Sequence, residues 1–192
     1  MRKFTNLIGI ATLALSLNVY GADAPETITV TSSAFDHHGT VPEEYSAYGD
    51  NKSIDLSWSN LPAGTVQLAL ICDDPEVVTI GMMETPFPHW VAYNIPASAS
   101  GLPEGMATDA VVSGVAGLDG MINGLNGTSR SGYFGPRPPV NGHLHAYHFR
   151  VYAIDANLDL GEGLNKDELL AAIDGHVLAT GMLMGHYERK EQ

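Results

Sequence analysis

Apolar and polar positions alternate in short runs along most of this chain, and Gly, Pro, Asn and Ser punctuate the gaps. The segments TITVTSSAF (27–35), SIDLSW (53–58), VQLALICD (66–73), HWVAYNIP (89–96) and HAYHFRVYAID (145–155) have the length and the β-branched or aromatic content of strands. One helix is predicted: Asn165 caps it, Glu168 completes a capping box, DELLAAID carries it forward and Gly175 stops it. It is short and is expected to lie across a sheet edge. The closing HVLATGMLMGHYERK (176–190) fits helix or strand, and Gly181, Gly185, Val177 and Thr180 favour a terminal strand.

The glycine-rich stretch 96–133 lacks sustained periodicity and reads as long loops packed on a sheet. No internal repeat or low-complexity linker appears. The pattern predicts a mainly antiparallel β fold, in a single domain over residues 23–192.

The first residues change that picture in one respect. Arg2 and Lys3 precede the uncharged run LIGIATLALSLNVY, and the small residues Gly21, Ala22 and Ala24 follow, which is the layout of a secretory signal peptide over residues 1–22. Cleavage is expected near Gly21 or Ala22. The run's about 14 residues fall short of the roughly 20 that a spanning helix needs. The mature protein is therefore expected to be exported, periplasmic or secreted, with no membrane span.

Charge narrows the partners. Nine Lys and Arg face 22 Asp and Glu, for a net charge of −13, and loss of Arg2 and Lys3 leaves the chain more acidic still. Such a surface argues against nucleic acid or anionic membranes as general partners. A small anion can still bind where local donors outweigh the global field. Cys72 is the only cysteine, so no internal disulfide forms, and its place in VQLALIC predicts a buried thiol. Trp58, Trp90 and most of the methionines are expected in the core.

Alternation along a strand divides the histidines. His143, His145, Tyr147 and Phe149 fall on one face, and His148, Arg150 and Tyr152 on the other. His89 falls with Val91 and Tyr93 at the head of a second strand. A third strand ends in Asp73, Asp74 and Glu76 around Pro75. If these strand ends meet, two imidazoles and a carboxylate share a site. A carboxylate that orients a protonated ring suits anion binding, and the stiff turn GPRPPVNG, with Gly135, Pro136 and Arg137, would complete it.

Each residue also has a plainer structural role: a hydrogen-bonded core histidine, turn-forming aspartates, a solvated arginine. Convergence is what favours a site. His143 and His145 stand two apart, a spacing that metal sites use, but further ligands and any HExxH or CxxC pattern are lacking, so neither metal nor cofactor is expected. No G-x-S-x-G, P-loop or G-x-G-x-x-G is present, so no nucleophile or nucleotide motif can be named and an enzymatic role has no motif behind it. His37 and His38, in a glycine-flanked loop, are expected to face solvent.

The ordered set DDPE, HWVAYNIP, GYFGPRPPVNGHLHAYHFRVYAID and GHVLATGMLMGHYER resembles the phosphatidylethanolamine-binding protein family, in its bacterial Raf-kinase-inhibitor-like branch, over Ser33 to Arg189. The resemblance implies a Greek-key antiparallel β-sandwich with a few short peripheral helices and a small anion pocket at the strand ends. It places Asp74, His89, His145 and Tyr147 in the pocket, Gly135 and Pro136 in the family's turn, and Tyr133 and Arg137 beside the mouth. Where the family usually reads D-P-D-A-P this chain reads DPEVV, so Glu76 stands in for an aspartate. The expectation is an exported, non-enzymatic binding protein for a phosphate or phospholipid-headgroup-like anion. The alternative is a protein-interaction module such as a protease inhibitor, and the family admits a homodimer.

Overall fold

The computed structural model describes residues 25–191, and residues 1–22, where the sequence suggests a signal peptide, lie outside the described residues. Strands β1 (Thr29–Thr31), β2 (Gly39–Thr40), β3 (Leu56–Ser59), β4 (Gln67–Asp74), β5 (Phe87–Pro96), β6 (Gly101–Leu102), β7 (Ile122–Asn123), β8 (His145–Ile154) and β9 (Val177–Tyr187) are joined by two helices, α1 (Glu76–Thr79) and α2 (Lys166–Ile173). All five segments predicted as strands contain one, and the ambiguous C-terminal run is the longest strand.

The strands form two sheets, a three-stranded β1-β3-β6 and a six-stranded β2-β9-β8-β4-β5-β7. Within the larger one, the neighbours β8-β4-β5-β7 are all antiparallel and follow the Greek-key order, with the fourth strand in sequence returning beside the first. The sheet is mixed, because β2 pairs in parallel with β9.

Strand β4 explains the layering. Leu68, Leu70 and Cys72 join Trp58 of β3 and Leu102 of β6 in the core between the sheets, whereas Ala69 and Ile71 face the opposite side. Both faces are buried, which is why VQLALIC reads as a continuous apolar run. Cys72 and both tryptophans are buried as expected.

The outer face is covered by α2. Its Leu169 and Ile173 pack with Ile71, Val91, Tyr93 and Ile154, so the helix lies over the face of the sheet and not across its edge. The exposed start is held by the predicted capping box, with Asn165 accepting from the Asp167 and Glu168 amides and Glu168 accepting from the Asn165 amide. The expectation for the methionines is corrected: Met106 and Met121 are buried, but Met82 and Met83 are 50% and 42% exposed and Met182 and Met184 are half-buried. Unbranched thioethers suit such partly wet surfaces.

Candidate functional site

Three strand ends meet as the sequence suggests. Asp74 closes β4, His89 lies near the start of β5, and His145 and Tyr147 open β8; all four are buried and line one cavity of about 330 Å³. Strict alternation, however, misplaces His89. Cys72 pairs with Trp90 and Asp73 with Pro88, so a bulge leaves His89 as the extra residue. Its ring turns away from Val91 and Tyr93 and meets Tyr147 edge-on at 5.0 Å.

His89 is pinned by its surroundings. Its Nδ1–H donates to the Phe134 carbonyl at 2.6 Å, and the Phe134 amide donates back to the His89 carbonyl at 2.8 Å. The Phe134 ring stacks on the imidazole at 5.7 Å. Burial lowers the pKa of His89 against smaller opposing effects of the Phe134 hydrogen bond and the nearby aspartates. In the free cavity the ring is neutral at pH 7 and offers a lone pair at Nε2. This corrects the expectation of a standing imidazolium donor.

His145 is held differently. Its Nδ1 lies 2.6 Å from Asp74 Oδ2, while Asp74 Oδ1 accepts the Glu76 amide at 2.9 Å and fixes the first turn of α1. The opposite edge of the ring is unsatisfied: His145 Nε2 and the Tyr147 hydroxyl are buried without a hydrogen-bond partner. Burial raises the Tyr147 phenol far above its ordinary range, so it remains a neutral donor. Buried polar atoms are rarely left unpaired, and two on alternate residues of β8 in one cavity wall define a place for a hydrogen-bonding guest.

The remaining predicted residues stand around this centre. Arg137 is exposed at the rim. Pro136 and Gly135 lie behind the wall: the Pro136 carbonyl accepts the Ala47 amide, and the Gly135 amide donates to Asn51 Oδ1 at 2.7 Å. Tyr133 donates from its hydroxyl to the Tyr45 carbonyl at 2.8 Å and packs on Trp90. Glu76 meets Asp74 through its backbone, and its side chain does not line the cavity.

Two neighbours leave the group. Asp73 turns to the outer side and pairs with Lys166, and His143 lies exposed before β8 begins. Among the described residues no three His, Cys, Asp or Glu side chains gather as a metal site, and His37 and His38 are exposed.

The sequence reading did not name Val77, Met82, Met83, Phe87 or Phe134 as cavity residues. A signal existed for most of them, since VTIGMMETPFP is more apolar than a plain turn requires. Asn141 Nδ2 stands 3.9 Å from Met82 Sδ, which brings the two rim loops together.

A two-sheet sandwich with a largely apolar cavity that holds a few buried polar groups at the ends of its central strands is a binding-protein architecture. The family described as phosphatidylethanolamine-binding protein matches residues 31–188, and this chain belongs to it. A UPF0098 protein of Methanothermobacter thermautotrophicus is 38% identical over 162 residues, covering 84% of this chain and 99% of that one. A UPF0098 protein of Chlamydia trachomatis is 38% identical over 160 residues, covering 83% and 98%. Among solved structures, the phosphatidylethanolamine-binding protein homologue CT736 of Chlamydia trachomatis superposes with a TM-score of 0.73 at 35% identity, covering 86% of this chain and 99% of that one. YbcL of E. coli superposes at 0.74 with 24% identity, covering 85% and 99%, and shares the fold.

Proposed function

We propose that this protein is an exported, non-enzymatic binding protein whose cavity takes a phosphate or a phospholipid-headgroup-like anion. The observation that carries this reading is the unpartnered pair, His145 Nε2 and the Tyr147 hydroxyl, beside the His89 ring. Tyr147 donates as it stands. The imidazoles donate once protonated, and an anion in the cavity favours that protonation; a monoprotonated phosphoryl group can instead donate its own proton to a ring lone pair. Asp74 orients His145 throughout.

The signal-like segment and the acidic composition support export. Intact-mass measurement of the protein recovered from cells tests that part: a chain still carrying residues 1–22 would overturn it.

The binding reading is tested by NMR titration with inorganic phosphate and phosphorylethanolamine at a pH on either side of the histidine range. Saturable shifts in the His89 and His145 rings, weakening as pH rises, are expected. Silence of both rings at millimolar ligand would overturn the anion reading and favour the protein-interaction module.

Among the described residues no helix is long and apolar enough to cross a membrane.

A further inference from the structure

A second cavity, of about 550 Å³, abuts the first and shares Thr128, Phe134 and Arg137 with it. Its character is different. Asn51, Ser131, Arg130 and Arg137 line it, and no carboxylate does. In a chain of net charge −13, two arginines on one trough are a local reversal of sign.

Their partners, or the lack of them, sharpen the point. Lys52, Lys166 and Arg189 each sit within an ion pair, whereas the Arg130 and Arg137 guanidinium groups make neither an ion pair nor a side-chain hydrogen bond among the described residues. Both are exposed, and both stand on backbone that is otherwise tied down. The Arg130 carbonyl accepts the Asn126 amide, and Arg137 follows Gly135 and Pro136, whose backbones are bonded to Asn51 and Ala47. Two unneutralised guanidinium groups beside one trough repel each other and any cation that enters it. Planar forks with five N–H donors each are matched to carboxylate or phosphate.

The geometry points to a two-subsite ligand: a phosphate ester whose far end carries a second anion, with the phosphoryl group in the His89–His145–Tyr147 cavity and the second anion in the Arg130–Arg137 trough. This rests on the anion reading of the first cavity and adds a selectivity to it. An ammonium-terminated ester such as phosphorylethanolamine is disfavoured, because its cation would enter the trough against both arginines. Specificity here is set by repulsion as well as attraction. The same chemistry can come from a free metabolite or from the headgroup of an acidic lipid.

The test uses a matched pair, 2-phosphoglycolate and phosphorylethanolamine, which differ in the charge at the end of a two-carbon arm. Titration calorimetry of the mature protein at low salt is expected to show 2-phosphoglycolate binding at least roughly tenfold more tightly, as charge-assisted contacts to arginine allow. Arg130→Gln with Arg137→Gln is expected to abolish that preference, and Arg130→Gln alone, at a residue that lines only the second trough, to leave inorganic phosphate affinity within about twofold. Equal affinities, or a preference for phosphorylethanolamine, would overturn the inference and leave the first-cavity reading intact. A preference that survives in the double variant would also overturn it. Absence of binding by inorganic phosphate itself would overturn both. A short-chain phosphatidylinositol 4-phosphate, whose headgroup carries a second anion and no ammonium, assigns the source as a third ligand: tighter binding than 2-phosphoglycolate supports a lipid headgroup, and weaker binding supports the free ester.

Discussion

His145 Nδ1 and Asp74 Oδ2 lie 2.6 Å apart with both side chains buried, and the other ring nitrogen, Nε2, has no partner. Asp74 thereby sets the tautomer of His145, because an acceptor at Nδ1 puts the ring proton there and leaves the lone pair facing the cavity. Replacing the carboxylate reverses this. In Asp74→Asn the side-chain oxygen keeps the Glu76 amide and the NH2 group faces Nδ1, so the proton moves to Nε2. Long-range 1H–15N correlation spectra are expected to show an Nδ1–H ring in the native protein and an Nε2–H ring in the variant. An unchanged tautomer would refute the orienting role. Losing a buried charge-assisted bond should also cost about 2 kcal/mol in denaturant unfolding.

Tyr147→Phe separates binding from stability. The hydroxyl is buried and unpartnered in the free protein, so its desolvation is uncompensated. Removing it should leave stability unchanged or raise it by up to about 1 kcal/mol, while phosphate affinity falls by roughly fivefold with the lost donor. A variant that loses stability and keeps its affinity would show that the hydroxyl serves the core and not a ligand.

The strands were legible because their periodicity is a direct consequence of the two-layer packing: Leu68, Leu70 and Cys72 look inward and Ala69 and Ile71 outward along one run. His145 and Tyr147 were legible for the same reason, since each lies in phase with the inner face of β8, whereas Asp74 was separated from Asp73 and Glu76 only by the family resemblance. His89 was legible as the head of its strand but assigned to the wrong face, because the bulge opposite Cys72 and Asp73 breaks the period that places a side chain. The second cavity was invisible in the sequence. Its walls come from residues 51, 108 and 126–137, which no local pattern brings together. The position of α2 was misjudged because one apolar stripe fits an edge or a face equally well.

Gly135 tests how tightly the wall is built. A Cβ there would stand 2.2 Å from the Tyr45 carbonyl oxygen and 2.9 Å from the Ala47 nitrogen, both backbone atoms that cannot step aside cheaply. Gly135→Ala should therefore destabilise the fold by about 2 kcal/mol or more by thermal or urea unfolding. It should also displace Phe134, whose ring stacks on His89, and shift the His89 ring resonances. Stability within about 0.5 kcal/mol of native would show that the turn has slack.

The pH dependence of the free protein follows from His89. Its folded pKa is lowered by burial, so between its unfolded value, about 6.5, and the lower folded value the unfolded chain binds a proton that the folded chain does not. Stability from this residue is complete above about pH 6.5 and declines as pH falls toward the folded pKa. His148 is also lowered by burial and contributes in the same direction, so His148→Gln serves as the control. Urea unfolding of the native protein should weaken on acidification, and His89→Gln should flatten that slope more than the control does. Millimolar phosphate should flatten the slope in the native protein alone, because the bound anion favours the protonated ring and offsets the loss. An acid slope that phosphate leaves unchanged would place the proton uptake elsewhere and remove His89 from the binding chemistry.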